Sequence, residues 1–216
     1  LKRGASGEAL RPVFSILNPA LTQTLPREQT AAGVADIMAH LFERYFTNTK
    51  EVEVTDRVIE GLLLTMIQEA PKVIKDPDNY EARANIMWAG MMAHNNCCGV
   101  GRDQDWASHG IEHELSALYD CAHGAGLAAV FPAWMEYTMK QDVMRFAQLA
   151  TRVWGCSMNF QNPEITAKAG IDALRVFFKK LGLPLTMAEL GGKEEDIPYL
   201  AYTACYGNGK KGTVGR

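Results

Sequence analysis

The sequence predicts an all-α domain built from several helices. Apolar side chains recur at helical spacing through most of the 216 residues, as on one face of an α-helix. Strand signals are almost absent, and only the run PVFSIL near the start of the chain is rich in β-forming residues. Helix stop signals are also present, such as Gly182 and Pro184 after the periodic segment 163–181. These observations predict a multi-helix domain without a sheet.

The helices are predicted in order from their apolar positions and their end signals. After an extended start, the first helix covers 28–47, with apolar positions that include Ile37 and Leu41. The second covers 55–70 and is amphipathic, with Thr55 as its N-cap and Pro71 near its end. The remaining predicted helices cover residues 78–97, 105–119, 123–139, 141–154, 163–181, 186–191 and 194–205.

The composition excludes several classes of protein. The formal net charge is −3, so a nucleic-acid or polyanion partner is not expected. The longest apolar run, GAGLAAVFPAW, is too short to span a bilayer, and no secretory leader opens the chain. The five cysteines form no CxxC pair and predict reduced thiols rather than a zinc ribbon. We therefore expect a cytoplasmic protein without a membrane segment.

Four of the five histidines lie where they could bind one object together. Asp36 and His40 are four residues apart, so on a helix they project from the same face. His109 and His113 repeat this spacing, and His123 follows at the start of the next predicted helix. Either pair alone could be a packing or surface feature, but the combined set predicts a site for a divalent transition metal.

The types of candidate ligand limit the choice of metal but leave the role of His113 open. Three imidazoles and one carboxylate suit Fe(II) or Zn(II) and argue against Mg²⁺ or Ca²⁺. A coordination position left for substrate oxygen would make the metal a Lewis acid. His113 could bind the metal or carry a proton beside it, and spacing alone does not decide between these roles. His94 lies at a predicted helix end, where a capping or surface role is expected.

Two segments resemble a known enzyme family. They are NPALTQTLPREQTAAGVADIMAHLFERYF and DWASHGIEHELSALYDCAHGAGLAAVFPAWM. They are similar to the iron-containing (group III) alcohol dehydrogenases, most of all to the branch of NAD(P)H-dependent butanol dehydrogenases and aldehyde reductases. The family signature has an Asp and a His four apart, then two His four apart, then an HG dipeptide fourteen residues after the first of them. Each element is present here at that spacing.

The resemblance implies three sets of site residues. The implied metal ligands are Asp36, His40, His109 and His123. The implied catalytic residue is His113, beside the nicotinamide or the substrate, where it helps to relay the proton. The residues implied to line the substrate pocket are His94, Asn96 and Cys205.

The resemblance also implies a domain organisation and an activity. Residues 1–216 would form the helical metal- and substrate-binding domain, as in this family and in dehydroquinate synthase. Relatives begin with a dinucleotide-binding domain, but no GxGxxG or GGGS stretch occurs here. We expect this domain, and the last helix, to lie outside the chain. The implied reaction interconverts butanol-like primary alcohols and aldehydes, with Fe(II) or Zn(II) and with NAD(P)H bound mainly by the missing domain, in a homodimer or larger assembly.

Other functions fit parts of the pattern. The chain could be a helical metal-binding fragment without turnover. A His-Asp phosphohydrolase is disfavoured because no His is followed by Asp. Dehydroquinate synthase is disfavoured because its ligand set has Glu where this chain has Asp36.

Overall fold

The structure is a computed structural model that describes residues 7–207, and within that range it contains α-helices and short 3₁₀ turns but no strand. The all-α prediction is confirmed. The α-helices are α1 (Arg27–Tyr45), α2 (Glu53–Lys75), α3 (Tyr80–His94), α4 (Ala107–Tyr119), α5 (His123–Thr138), α6 (Val143–Arg152), α7 (Pro163–Leu181) and α8 (Ile197–Tyr206). The run PVFSIL has no regular structure, since a single β-forming segment has no partner strand to bond to.

Helix α1 lies at the centre of the domain and packs against α5, α2 and α3. Its side chains are buried around most of its circumference, and Met38, Leu41 and Phe42 are fully excluded from solvent. A helix that is enclosed in this way needs partners on several sides. Two charged residues of α1, Glu43 and Arg44, are therefore buried with it, whereas Asp36 and His40 are half-buried.

The second half of the core forms where α5, α6 and α7 pack together. Phe131 of α5, Leu149 of α6 and Phe178 of α7 are each about 1% exposed. Helix α7 ends as predicted at Gly182, which adopts a left-handed conformation with a φ of 86°. The final helix, α8, packs against α4 rather than against the central helix.

Two predicted features of α2 are wrong. The helix begins at Glu53, so Thr55 lies in its first turn, where its hydroxyl donates to the Val52 carbonyl instead of capping the helix. The helix also continues through Pro71 to Lys75. Proline removes one helical hydrogen bond, but the flanking Ala70 and Val73 are buried in the core and hold the last turn in place.

Several predicted boundaries also shift. Helix α3 begins one residue after Asn79, whose side chain accepts a hydrogen bond from the Ala82 amide, and it ends at His94 instead of continuing to residue 97. The predicted helix 186–191 is a 3₁₀ turn, Ala188–Leu190. Across residues 7–207, no helix combines the length and the apolar character needed to cross a membrane.

The packing brings four helix segments to one place. They are the middle of α1, the C-terminal end of α3, and the N-terminal ends of α4 and α5. The residues singled out by the sequence, Asp36, His94, His109 and His123, lie on these segments. The fold therefore assembles one site from positions almost ninety residues apart in the chain.

Candidate metal centre

One carboxylate oxygen of Asp36 is surrounded by three imidazole nitrogens. Its Oδ1 atom lies 3.5 Å from Nε2 of His123, 3.6 Å from Nε2 of His109 and 3.8 Å from Nε2 of His40. These are the four residues that the family resemblance implied as metal ligands. Groups of three or more ligand atoms lying within 4.8 Å of one another are Asp36–His109–His123, Asp36–His40–His94 and Glu112–His113–His123.

The spacing of these atoms fits a bound cation better than direct hydrogen bonds. The distances around Asp36 exceed the usual N–H···O range. Two of the atoms, Asp36 Oδ1 and His109 Nε2, are buried without a hydrogen-bond partner. Ligand atoms at about 2.1 Å from a tetrahedral zinc ion lie about 3.4 Å from one another. The donor set present here therefore fits a divalent transition metal in both spacing and chemistry.

His109 is held from behind by the buried carboxylate of Glu43. Its Nδ1–H donates to Glu43 Oε1 at 2.9 Å, and its backbone N–H donates to the same oxygen at 3.1 Å. With the proton on Nδ1, the lone pair lies on Nε2, which faces Asp36. A carboxylate behind an imidazole in this way fixes the ring and increases its strength as a metal ligand.

His123 has an equivalent partner in Glu112. Its Nδ1 atom is hydrogen-bonded to Glu112 Oε2, whose side chain is fully buried. Two glycines make this arrangement possible. A Cβ atom at Gly126 would lie 2.6 Å from Glu112 Oε1, and one at Gly124 would overlap the carbonyl oxygen of Ala32. The HG dipeptide therefore lets α5 approach α1 closely enough for His123 to reach Asp36.

His40 is supported by Arg44 and Trp106. Arg44 donates to the His40 carbonyl at 2.7 Å, and its guanidinium lies 4.9 Å from the centre of the Trp106 ring. Trp106 contacts both His40 and His109 edge-on, with ring centroids 5.2 and 5.1 Å apart. The indole thus forms an apolar wall beside two of the imidazoles.

The site favours an ionised Asp36 and a neutral His40. Burial opposes ionisation of Asp36, but the surrounding histidines, His109 and His94 foremost, hold its pKa well below the ordinary value. Burial, followed by the electrostatic effect of the neighbouring His94, lowers the pKa of His40 to about 3. Burial also disfavours a charged His109, but the neighbouring carboxylates of Asp36 and Glu43 outweigh it and raise its pKa to about 8. Metals bind the carboxylate and neutral imidazole forms.

His94 and His113 flank the four central residues on opposite sides. His94 lies at the end of α3 and is partly exposed, as a helix-end residue would be. Its Nε2 is nevertheless 3.5 Å from Asp36 Oδ2, and the centre of its ring lies 3.8 Å from that of the His40 ring. His113 is exposed one turn after His109, with its ring centroid 5.2 Å from that of His123.

The other two residues that the resemblance implied lie farther out. Asn96 adopts a left-handed conformation with a φ of 69°, and its side chain accepts a hydrogen bond from Gln104. It is exposed at the edge of the site rather than in contact with the central carboxylate. Cys205 is a half-buried thiol on α8, the helix that packs against α4, which carries His109 and His113.

The sequence interpretation missed Glu43, Glu112 and Trp106. A signal for the two glutamates was available. Glu43 lies seven residues after Asp36, and Glu112 lies three residues after His109, so each shares a helix face with a candidate ligand. Acidic residues at such positions are normally solvated, and only tertiary packing shows that these two are buried. Trp106 gave no such signal, because it precedes α4 and contacts α1 across the fold.

Comparisons with known proteins match this arrangement to one family. Residues 30–214 match a family whose description is "Fe-containing alcohol dehydrogenase family, C-terminal". NADH-dependent butanol dehydrogenase A of Clostridium acetobutylicum is 41% identical over 99% of this chain and 54% of its own length. The NADPH-dependent aldehyde reductase YqhD of Escherichia coli is 42% identical over 88% of this chain and 49% of its own length.

Solved structures agree with the sequence comparisons. The crystal structure of NADH-dependent butanol dehydrogenase A from Thermotoga maritima superposes with a TM-score of 0.89 at 38% identity, covering 98% of this chain and 54% of that one. This chain spans about half the length of the curated relatives it matches. The chain belongs to the Fe-containing alcohol dehydrogenase family and corresponds to its C-terminal part.

Proposed function

We propose that this chain is the metal- and substrate-binding domain of an NAD(P)H-dependent alcohol dehydrogenase that interconverts butanol-like primary alcohols and aldehydes. In this proposal, a segment outside the chain supplies the dinucleotide-binding domain. The observation that carries the proposal is the convergence of three imidazole Nε2 atoms on Asp36 Oδ1 within 3.8 Å. Relatives at about 40% identity are named as NADH- or NADPH-dependent butanol dehydrogenases and an aldehyde reductase.

Asp36, His40, His109 and His123 would hold Fe(II) or Zn(II). A metal in this position would supply Lewis acidity toward a substrate oxygen, and the nicotinamide would supply the hydride chemistry. The chain's own contribution is to hold these four side chains in one geometry. Glu43 and Glu112 do so by fixing the rings of His109 and His123 from behind.

His113 would move the proton that the reaction takes up or releases. Support for this role comes from its position, since it is exposed to solvent and lies next to His123, with ring centroids 5.2 Å apart. An imidazole titrates near neutral pH, so it can exchange protons with water in either direction of the reaction. The partial exposure of Asp36 and His123 leaves this side of the centre open to water, with which His113 would exchange the proton.

The substrate would enter on the side of His94, with Asn96 and Cys205 farther from the metal. Trp106 would add an apolar wall, since its ring contacts the edges of His40 and His109. An apolar wall next to polar groups suits a short aliphatic alcohol, which buries a carbon chain and presents one oxygen.

The test measures reduction of butanal by NADH and NADPH in the polypeptide at its natural length, reconstituted with Fe(II) or Zn(II). The proposal predicts activity that is lost in Asp36→Ala and His123→Ala and reduced, with an altered pH profile, in His113→Ala. Asn85→Ala, an exposed change on α3, serves as the control and should keep full activity. Undiminished activity in the metal-free Asp36→Ala protein would rule the proposal out.

A second candidate is a metal-binding fragment without turnover. Two observations favour it: the chain covers only about half the length of each relative, and residues 7–207 contain no strand. Titration of the 216-residue chain with NADPH, followed by nicotinamide fluorescence, separates the two. Saturable binding at micromolar concentrations would exclude a fragment that only binds metal.

A further inference from the structure

The two oxygens of Asp36 face different sets of imidazoles. Oδ1 faces inward to Nε2 of His109 and His123, at 3.6 and 3.5 Å. Oδ2 faces outward to Nε2 of His94, at 3.5 Å. One carboxylate therefore lies between a set of inner ligands and one outer imidazole that the family-based assignment does not include among the ligands.

The His94 ring is oriented with a lone pair toward the carboxylate. Its Nδ1 lies 2.7 Å from the Gly90 carbonyl oxygen, which only accepts hydrogen bonds, so the proton of the neutral ring is on Nδ1. The lone pair on Nε2 then faces the negative Oδ2 atom. Two electron-rich atoms at this distance repel each other unless a cation lies between them. The orientation is that of a metal ligand held by a backbone carbonyl.

His40 connects the outer group to the inner one. The His40 and His94 rings lie against each other with their centroids 3.8 Å apart and their planes tilted by 33°. Ligand atoms of Asp36, His40 and His94 lie within 4.8 Å of one another. A cation held by this outer group would thus need to move only a short distance to reach His109 and His123, while Asp36 and His40 stayed in contact with it.

Exposure decreases along the same path. The side chain of His94 is 41% exposed, that of His40 is 18% exposed and that of His109 is 9% exposed. The inner position is closed on its far side by the buried carboxylates of Glu43 and Glu112. On this side of the centre, a metal from solvent therefore meets His94 before it meets His40 and His109.

We propose that Asp36 Oδ2, His94 and His40 form an outer metal position through which a divalent cation enters and leaves the inner centre. This inference rests on the inner centre proposed above and adds a route to it. An intermediate position of this kind lowers the barrier for binding and for release alike. Removal of the outer position leaves the inner ligands unchanged, so the equilibrium affinity of the inner centre for the metal should stay almost the same.

The test follows Co²⁺ binding to the 216-residue chain by stopped-flow absorbance of the Co²⁺ ligand-field bands, and Co²⁺ release into excess chelator. In His94→Ala, the association and dissociation rate constants should both fall at least fivefold, and the Kd should stay within about twofold of the unmodified chain. The control is Asn85→Ala, an exposed change on the same helix, whose rate constants should not change.

Three outcomes would overturn the proposal. An association rate constant within twofold of the unmodified chain would show that His94 does not assist entry. Faster release with a weaker Kd would show that His94 is instead a ligand in the final inner site. If the unmodified chain does not bind Co²⁺ at all, the proposed metal centre is wrong, and the entry route with it. If the chain binds Co²⁺ and the rates are unchanged in His94→Ala, only the proposed entry route is wrong.

Discussion

His109 and Glu43 are joined by two hydrogen bonds to a single buried carboxylate oxygen, one from the imidazole Nδ1–H and one from the backbone N–H. The carboxylate thereby fixes both the position of the α4 N-terminus and the orientation of the ring. Burial raises the pKa of Glu43, and the hydrogen bonds from His109 oppose this rise. The central imidazole of the site thus depends on a residue that does not face the metal position.

Replacing Glu43 by glutamine should weaken metal binding. The amide keeps an oxygen that can accept the same hydrogen bonds, but it no longer increases the basicity of the His109 ring. Loss of such a partner lowers metal affinity about 10- to 100-fold. Competition with a chromophoric chelator measures the Zn²⁺ affinity. Glu28→Gln, an exposed change on the same helix, is the control, and equal affinities in the two variants would contradict the role assigned to Glu43.

Replacing Gly124 by alanine should separate α5 from α1. The new Cβ would overlap the Ala32 carbonyl oxygen, which is backbone and cannot rotate away. We expect a loss of about 1–3 kcal/mol in the free energy of unfolding, as for other overpacked sites, together with weaker metal binding through His123. Urea denaturation and chelator competition measure the two effects.

The matched control for that change is Gly61→Ala, because a Cβ at this exposed position of α2 meets nothing within 4 Å. Alanine is favoured over glycine in a helix by about 1 kcal/mol, so this variant should be slightly more stable than the unmodified chain. If Gly124→Ala and Gly61→Ala were equally stable, α1 and α5 would not approach as closely as the structure has them.

Asp56 should make the domain sensitive to acid. It is buried between Arg102 and Arg145, and Arg145 donates to both of its oxygens. Burial opposes ionisation, but the two guanidinium groups hold the pKa of Asp56 below its ordinary value. A carboxylate with a lowered pKa stabilises the fold above its unfolded pKa of about 3.9, and this stabilisation is lost as the pH falls through the folded pKa.

The measurement for Asp56 is the free energy of unfolding in urea between pH 7 and pH 3, compared with Asp56→Asn. At pH 7 the variant should be less stable by about 3–5 kcal/mol, because the buried Arg102 and the half-buried Arg145 lose their charged partner. The difference should shrink as the pH falls toward 3. A difference that is constant over this range would mean that the charge of Asp56 does not contribute to stability.

Removal of metal should lower the thermal stability of the domain. A ligand that binds only the folded state at a free concentration of about 100 times its Kd adds about 2.7 kcal/mol. We therefore expect Zn²⁺ to raise the Tm and EDTA to reverse the change. In Asp36→Ala neither addition should alter the Tm, and a full response to Zn²⁺ in that variant would place the metal elsewhere in the chain.

The sequence predicted most of the fold because its helices are marked locally. Apolar periodicity located α1 to α7, and Gly182 located the end of α7. The Asp36–His40 and His109–His113 spacings, with His123, predicted which residues could act together. Each of these signals lies within one or two turns of helix, where geometry follows directly from residue number.

Features that depend on contacts distant in the chain could not be predicted in this way. Glu43 has the sequence context of a solvated glutamate, and only the packing of α4 against α1 gives it His109 as a partner. His94 was expected at a surface helix end, but the return of the chain through α4 and α5 places Asp36 and His40 beside it. Pro71 lies inside α2 because its neighbours are held in the core, which local propensity does not describe.

The most direct test of the metal centre is an anomalous difference map from a crystal of the chain grown with Zn²⁺ or Fe(II). We predict one strong peak at full occupancy, in contact with Asp36 Oδ1 and with Nε2 of His40, His109 and His123. A map without a peak among these four residues, or with its main peak on other side chains, would contradict it.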